Sequence, residues 1–291
     1  MSEYDPTIYR GTASYYTRGR PPYSRELAAT LAAELGLDGT GRMLDAGCGP
    51  GVIALELADR FGQVAGLDPD AEMLAEAARR AAESGITNIR WVQARGEDIP
   101  ALGLGTFKLV TFGQSFHWTN RAQVAEAVYD ILEPGGALAL ISHVQVGSPP
   151  GGVPALIANA YAISPQPDSP GHPPIPHDAI RAILERYLGE RRRAGQGFAA
   201  LPEERDEDTL ARTRFGTPRR LLAPGRPDIV RTIDEVLANY FSMSYAAPHL
   251  FGDQLAEFEA VVRAELTRYS PTGLFWDWPG DTEILLVGKP I

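Results

Sequence analysis

The chain has 291 residues, 44% hydrophobic and 22% charged, which is the composition of a folded globular protein and excludes disorder and fibre. Lys and Arg number 27 against 37 Asp and Glu, a net charge of −10, so the basic footprint of a nonspecific nucleic-acid binder is missing and no nucleic-acid partner is expected. The one cysteine, Cys48, excludes an internal disulfide, and five histidines without HxH or HxxxH spacing offer no zinc set, so no metal is expected.

At the N-terminus, the polar and aromatic segment 1–23 has no basic stretch followed by an apolar one, unlike a secretory signal. No run approaches the roughly 18 apolar residues of a membrane span. The expectation is a cytoplasmic protein without a membrane partner; its oligomeric state is not legible.

From residue 42 to 144, short apolar runs alternate with helical spacing. Strands are predicted at 42–47, 63–68, 89–93, 107–112 and 137–143, with helices at 52–61, 71–84 and 121–132 between them. This alternation implies parallel pairing in a doubly wound α/β sheet. Glu133-Pro-Gly-Gly136 reads as a helix stop and turn before the fifth strand.

The pattern changes after 144. A Pro/Gly/Ser-rich stretch at 147–176 contains one short apolar run near Val153–Ile163, and helices are predicted near 177–194, 227–243 and 251–269 with no strand signal among them. Two strand-like runs around Pro279-Gly280-Asp281 then predict an antiparallel terminal hairpin. The expected architecture is an α/β, doubly wound, Rossmann-like sheet of seven strands. Its parts are an N-terminal lid and helix (1–39), a core (40–144), a mostly helical cap insertion (145–272) and a hairpin completing the sheet (273–291).

Leu44-Asp45-Ala46-Gly47-Cys48-Gly49-Pro50-Gly51 joins the first strand to a helix, where α/β sheets hold nucleotide-like ligands. The spacing departs from the dinucleotide pattern G-x-G-x-x-G, since the third glycine comes one residue early, and neither Lys108 nor Lys289 stands in a P-loop frame. A carboxylate at Asp45 disfavours a pyrophosphate and favours a ligand with a cationic end. Asp68 ends the second strand 21 residues beyond Gly47 (68 − 47), about where an acid meets a ribose diol. The competing readings are a tight glycine connection and an Asp68-Pro69-Asp70 helix cap.

LDAGCGPG, GLDPDAEML, GEDIP, FGQSFHW and LEPGG together resemble the class I S-adenosylmethionine-dependent methyltransferases, in the broad group (methyltransferase type 11) containing menaquinone-pathway and trans-aconitate methyltransferases. The resemblance covers residues 40–144. It implies S-adenosylmethionine as cofactor and a small-molecule substrate. By position, Asp45, Gly47 and Gly49 face the methionine part with Cys48 inside the turn, Asp68 meets the ribose, Pro69 and Met73 flank the adenine, and Gly96, Glu97 and Asp98 line its edge. Arg95 stands where many relatives carry an Asp, so Glu97 or Asp98 is left for the adenine amino group. Gln114 follows the fourth strand beside the methyl-transfer point, and Cys48 reads as a small packing residue, not a nucleophile.

In the same resemblance a Y…RPxY arm folds over the cofactor, so that Arg20 pairs with the methionine carboxylate and Tyr16 and Tyr23 touch the substrate. His117 is the candidate catalytic base, its imidazole titrating near about 6.5 when unperturbed, with backbone bonding and packing on Trp118 as the structural alternative. Trp118 and Tyr245 complete the substrate candidates. The Arg191–Arg193 block reads first as a solvated helix face. The leading expectation is in-line methyl transfer to a small organic molecule; the alternative is a methyltransferase-fold protein catalysing a cyclisation or rearrangement without using the methyl group.

Overall fold

The computed structural model describes residues 5, 7–144, 167, 169, 171–190, 193–194, 197–198 and 204–291, the pairs 193–194 and 197–198 in backbone only. The predicted apolar run Val153–Ile163 and the side chains of Arg191–Arg193 lie outside these residues.

After helices α1 (Ala13–Gly19) and α2 (Leu27–Leu35) come β1 (Arg42–Ala46), α3 (Val52–Glu56), β2 (Gln63–Asp68), α4 (Ala71–Glu83), β3 (Ile89–Gln93), β4 (Phe107–Gly113), α5 (Arg121–Ile131) and β5 (Leu132–His143). Then follow α6 (His177–Leu188), α7 (Asp206–Ala211), β6 (Arg219–Ala223), β7 (Val230–Thr232), α8 (Ile233–Phe241), α9 (Leu255–Tyr269), β8 (Leu274–Trp276) and β9 (Thr282–Gly288). The central sheet has seven strands in the order β3-β2-β1-β4-β5-β9-β6, parallel through β5 and antiparallel at β9 and β6. The predicted α/β class, the seven strands and the reversed last strand all hold.

Alternation along β1 builds the two layers. Met43 joins Leu27 and Leu31 of α2 and Ile53 and Leu57 beyond the glycine turn, while Leu44 on the opposite face joins Val124 and Val128 of α5. The Glu133-Pro-Gly-Gly136 segment bulges within β5, whose register on β4 jumps between Phe107↔Leu132 and Leu109↔Ala137.

Two expectations for the second half are corrected. The insertion does contain strands: β6 supplies the sheet's seventh position, paired to β9. The antiparallel ribbon is formed by β8 with β7, whereas the hairpin partner expected for β8, β9, pairs with β5 and β6. The run Leu274–Trp276 is held by the insertion instead, where Arg231 of β7 donates to Asp277 at 3.0 Å in a buried pair. Deleting one partner of such a pair strands the other charge at a cost of about 3–5 kcal/mol. The insertion has its own apolar core, formed by α6, α8 and α9 with Phe251 and Phe275.

The insertion is fastened to the N-terminal arm through α1 and α8. A Cβ on Gly19 would stand 2.2 Å from backbone atoms of Ala238 and Asn239, so only glycine permits this contact. Arg20 donates to the Ser242 carbonyl at 3.1 Å and Arg231 to the Arg18 carbonyl at 3.3 Å. Among the described residues no helix is long and apolar enough to cross a membrane.

Candidate active site

A cleft at the C-terminal edge of the sheet encloses about 790 Å³ of empty space, its solvent-open mouth included. Its floor comes from the glycine turn (Gly47, Gly49), the end of β2 (Asp68, Pro69) and the end of β4 (Phe112, Gly113, Gln114, Ser115). One end is walled by Met73, Arg95, Gly96, Glu97, Trp118 and Thr119, and the arm contributes Ile8, Tyr9 and Tyr16.

The turn's shape follows from steric demand. Gly47 has φ +63°, and a Cβ there would meet the Ser115 Cβ at 2.5 Å. Ser115 Oγ is fixed by donating to the Ala46 carbonyl at 2.8 Å, which ties the loop after β4 to the turn after β1. Among the described residues, Gln114 is the non-glycine residue with a left-handed backbone, φ 51°. Such strain is held in place by surrounding contacts, here a 2.9 Å bond from its N–H to the Ile141 carbonyl.

Asp68 is buried, with Oδ2 accepting from Gly49 N–H at 2.8 Å and Oδ1 from Asp70 N–H at 2.9 Å. A carboxylate has about four lone-pair sites, so each oxygen keeps capacity for a ligand hydroxyl. Burial raises the Asp68 carboxyl to about 6, against the lowering effect of these N–H donors. The helix-cap reading belongs to its neighbour: Asp70 caps α4 by accepting from Glu72 and Met73 N–H groups. Site and cap share the motif.

The arm closes on this floor. Gly11 N–H donates to Glu72 on α4 at 3.0 Å, and the half-buried Tyr9 meets Trp118 edge to face at 6.0 Å. Desolvation, the largest cause, raises the Tyr9 phenol to about 12. Ile8 and Tyr9 carried no motif; their one sequence signal was the aromatic richness of the arm.

Ten expected residues line the cleft: Tyr16, Gly47, Gly49, Asp68, Pro69, Met73, Gly96, Glu97, Gln114 and Trp118. Glu97 accepts from the Asn120 N–H at 2.8 Å and pairs with Arg95 at 3.4 Å, so the arginine's charge is partly balanced within the wall. Asp98 is turned away to accept from the Arg95 N–H.

Other expected residues are corrected. Asp45 lies on the α3 face beneath the turn, 1% exposed, where it accepts from Thr111 Oγ1 at 2.8 Å and Ala54 N–H at 3.1 Å. It fastens α3 to β1 and β4, and burial raises its carboxyl to about 7. Cys48 points into the core with its thiol pushed up by burial. Arg20 lies over the Tyr16 ring at 4.9 Å, behind the lining. Tyr245 is half-buried against the insertion's core, away from the cleft lining. His117 is exposed and leans on Trp118 at 5.1 Å. In the 3₁₀ turn Phe116–Trp118 successive side chains diverge by about 120°, which sends Phe116 into the core and Trp118 to the cleft and leaves His117 facing outward. Tyr23 is also behind the lining, stacked on His143 at 4.9 Å between centroids.

Residues 43–136 match the family model described as a methyltransferase domain. A malonyl-[acyl-carrier protein] O-methyltransferase of Enterobacter lignolyticus is 37% identical over 46% of this chain and 54% of its own length. A ubiquinone biosynthesis O-methyltransferase of Psychrobacter cryohalolentis is 33% identical over 37% of this chain and 42% of its own. The chain thus spans about half the length of the curated relatives it matches. Among solved structures, a sarcosine dimethylglycine methyltransferase described as putative, from Galdieria sulphuraria, has a TM-score of 0.50 at 14% identity, over 96% of this chain and 98% of that one. The [4+2]-cyclase SpnF has a TM-score of 0.50 at 18% identity, over 98% and 94%. At these identities the structural likeness is one of fold. With the motif positions, the sheet order and the glycine-floored cleft in agreement, residues 43–136 form a methyltransferase domain of the class I S-adenosylmethionine-dependent kind.

Proposed function

We propose that this chain transfers the methyl group of S-adenosylmethionine in line to a small organic molecule bound in the cleft beneath the arm. The observation that carries the reading is the cleft itself: Asp68, with unfilled acceptor sites, stands at one part of a floor that continues to Gly113 and Gln114, beneath a cover made by Tyr9 and Tyr16. Asp68 would hold the ribose, Pro69 and Met73 the faces of the adenine, Gly96 its edge, and the Gly47–Gly49 backbone with Gln114 the methionine end. S-adenosylmethionine supplies a methyl on an already activated sulfonium, so the chain's residues have to bind, orient and exclude water. The arm over the cleft does the excluding, and a cleft of this size suits an acceptor of metabolite size. The segment 145–272 serves as cap to the 40–144 core. The acidic balance argues against nucleic acid as substrate, and a lone, buried Cys48 suits a cytoplasmic location.

The test is mass spectrometry of the protein incubated with S-adenosylmethionine and a panel of metabolites. A product heavier by one methylene, released with S-adenosylhomocysteine, supports transfer. A changed product without S-adenosylhomocysteine would select the cyclisation or rearrangement reading, and methylation of RNA alone would refute a small acceptor.

A further inference from the structure

The arm is pinned to both faces of the sheet. α4 lies on the α3 face, where a Cβ on Gly51 would meet both Ala77 of α4 and Trp91 of β3. The 3₁₀ turn Phe116–Trp118 belongs to the opposite face, where Phe116 packs with Val124 of α5. Gly11 N–H reaches Glu72 on α4 at 3.0 Å, and two residues earlier the Tyr9 ring meets the Trp118 indole at 6.0 Å, with 82° between planes. Tyr9, Met73, Gly96 and Trp118 all line the cleft, so residues 9–11 form a strap over the end where Pro69, Met73 and Gly96 would take the adenine. Trp118 lines the cleft and is still 38% exposed, which puts the aromatic pair at the mouth.

The strap is carried by the insertion. The His249 imidazole bonds the Arg10 carbonyl at 3.1 Å. In α1, Tyr15 packs edge to face on Phe241 of α8 at 5.3 Å, against the insertion's core, while the next residue, Tyr16, lines the cleft. Parting Tyr9 from Trp118 therefore pulls on contacts that belong to the insertion.

We propose that Tyr9 and Trp118 latch the arm over the bound cofactor, that S-adenosylmethionine enters and S-adenosylhomocysteine leaves through the opened latch, and that the insertion holds the strap in place through His249 and α1. This rests on the methyltransferase reading above and adds to it the two side chains that time cofactor exchange. An edge-to-face aromatic pair biases an opening equilibrium by about two- to twelvefold, a size that sets a rate without sealing the site. A latch acts on entry and exit alike, whereas a plain binding contact slows exit alone.

The test loads full-length protein with tritiated S-adenosylhomocysteine, chases it with excess unlabelled compound for the dissociation rate, and takes the association rate by rapid filtration. Tyr9→Ala should raise both rates together by about two- to twelvefold and leave Kd within about threefold. Tyr9→Phe, which keeps the ring, should exchange like the wild type. Trp118→Ala should match Tyr9→Ala, and the double variant should be no faster than either, because the two rings form one contact. His249→Ala, an exposed change outside the lining, should also speed both rates. Dissociation that rises alone with Kd weakened in proportion, additive effects of the two aromatic replacements, or wild-type exchange in Tyr9→Ala would each overturn the latch. Wild-type exchange in both His249→Ala and Tyr15→Ala would overturn the insertion's part in it. A wild-type protein that does not take up S-adenosylhomocysteine in calorimetry would instead overturn the cofactor site, and with it both readings.

Discussion

Replacing Asp68 separates loop stability from cofactor affinity. Its carboxylate bridges the Gly49 and Asp70 N–H groups at 2.8 and 2.9 Å and keeps unfilled lone pairs toward the cleft. Asp68→Ala removes both. Two N–H groups lose their acceptor, at about 1–3 kcal/mol each, so the variant should unfold at lower urea, by about 2–6 kcal/mol. The ribose diol loses a charged acceptor for two hydroxyls; at about 1.5–3 kcal/mol per bond and 1.4 kcal/mol per tenfold, S-adenosylhomocysteine should bind at least about 100-fold more weakly. Asp68→Asn keeps one oxygen but turns an NH₂ toward a backbone N–H, and should lie between. In the wild type, a carboxyl raised to about 6 makes affinity fall as pH drops below 6. Calorimetry at pH 5 and 7.5 on variants shown to be folded is the measurement. An Asp68→Ala protein that folds and binds within threefold of wild type would refute the assignment of Asp68 to the ribose.

His117→Ala should leave turnover within about threefold, because the imidazole is outside the cleft; a loss of about 10²-fold or more would restore it as a general base. Gly19→Ala should destabilise the protein and loosen the arm, read as faster proteolysis within residues 7–23, since its Cβ would enter the α8 backbone at 2.2 Å; an unchanged digestion pattern would contradict that packing. The Asp45 carboxyl, raised to about 7 by burial, keeps a proton in the fold that the unfolded chain gives up near about 3.9. The cofactor-free protein should therefore lose stability as pH rises from about 4 to 7. Asp45→Asn should flatten that slope, and urea titrations at pH 5 and 8 showing parallel slopes would dispose of the idea.

The first half of the fold was legible because the inner strands of 42–144 are largely apolar runs, and parallel strands buried on both faces leave that trace; the edge strand β3, IRWVQ, is half-exposed and was found by its place in the alternation. β6 and β7 left none. Arg219-Arg220-Leu221-Leu222-Ala223 is an edge strand whose arginines pair with Glu34, Glu207 and Glu283, so its pattern reads as polar surface. The Pro-Gly-Asp turn suggested a hairpin from local sequence alone, but the Arg231–Asp277 pair and the Trp276 indole bond to the Pro227 carbonyl come from a segment about 45 residues away. Within the site, the glycine turn and Asp68 were readable from spacing. The directions of Asp45, Cys48 and His117 were not, because a motif fixes position along the chain while strand alternation and the three-residue period of a short turn fix where a side chain goes.

The placement of β6 outside β9 makes a strand of the insertion part of the core's own hydrogen-bonded ladder. Local opening of the insertion that frees residues 219–223 would bare a row of unpaired amides along β9, a template for another chain to add to. Substitutions that reshape this region for a different acceptor would then register as core protection in hydrogen exchange and as solubility. The same ladder joins β5 to β9 across more than 130 residues of sequence, so the sheet closes through contacts of long range and folding should be correspondingly slow.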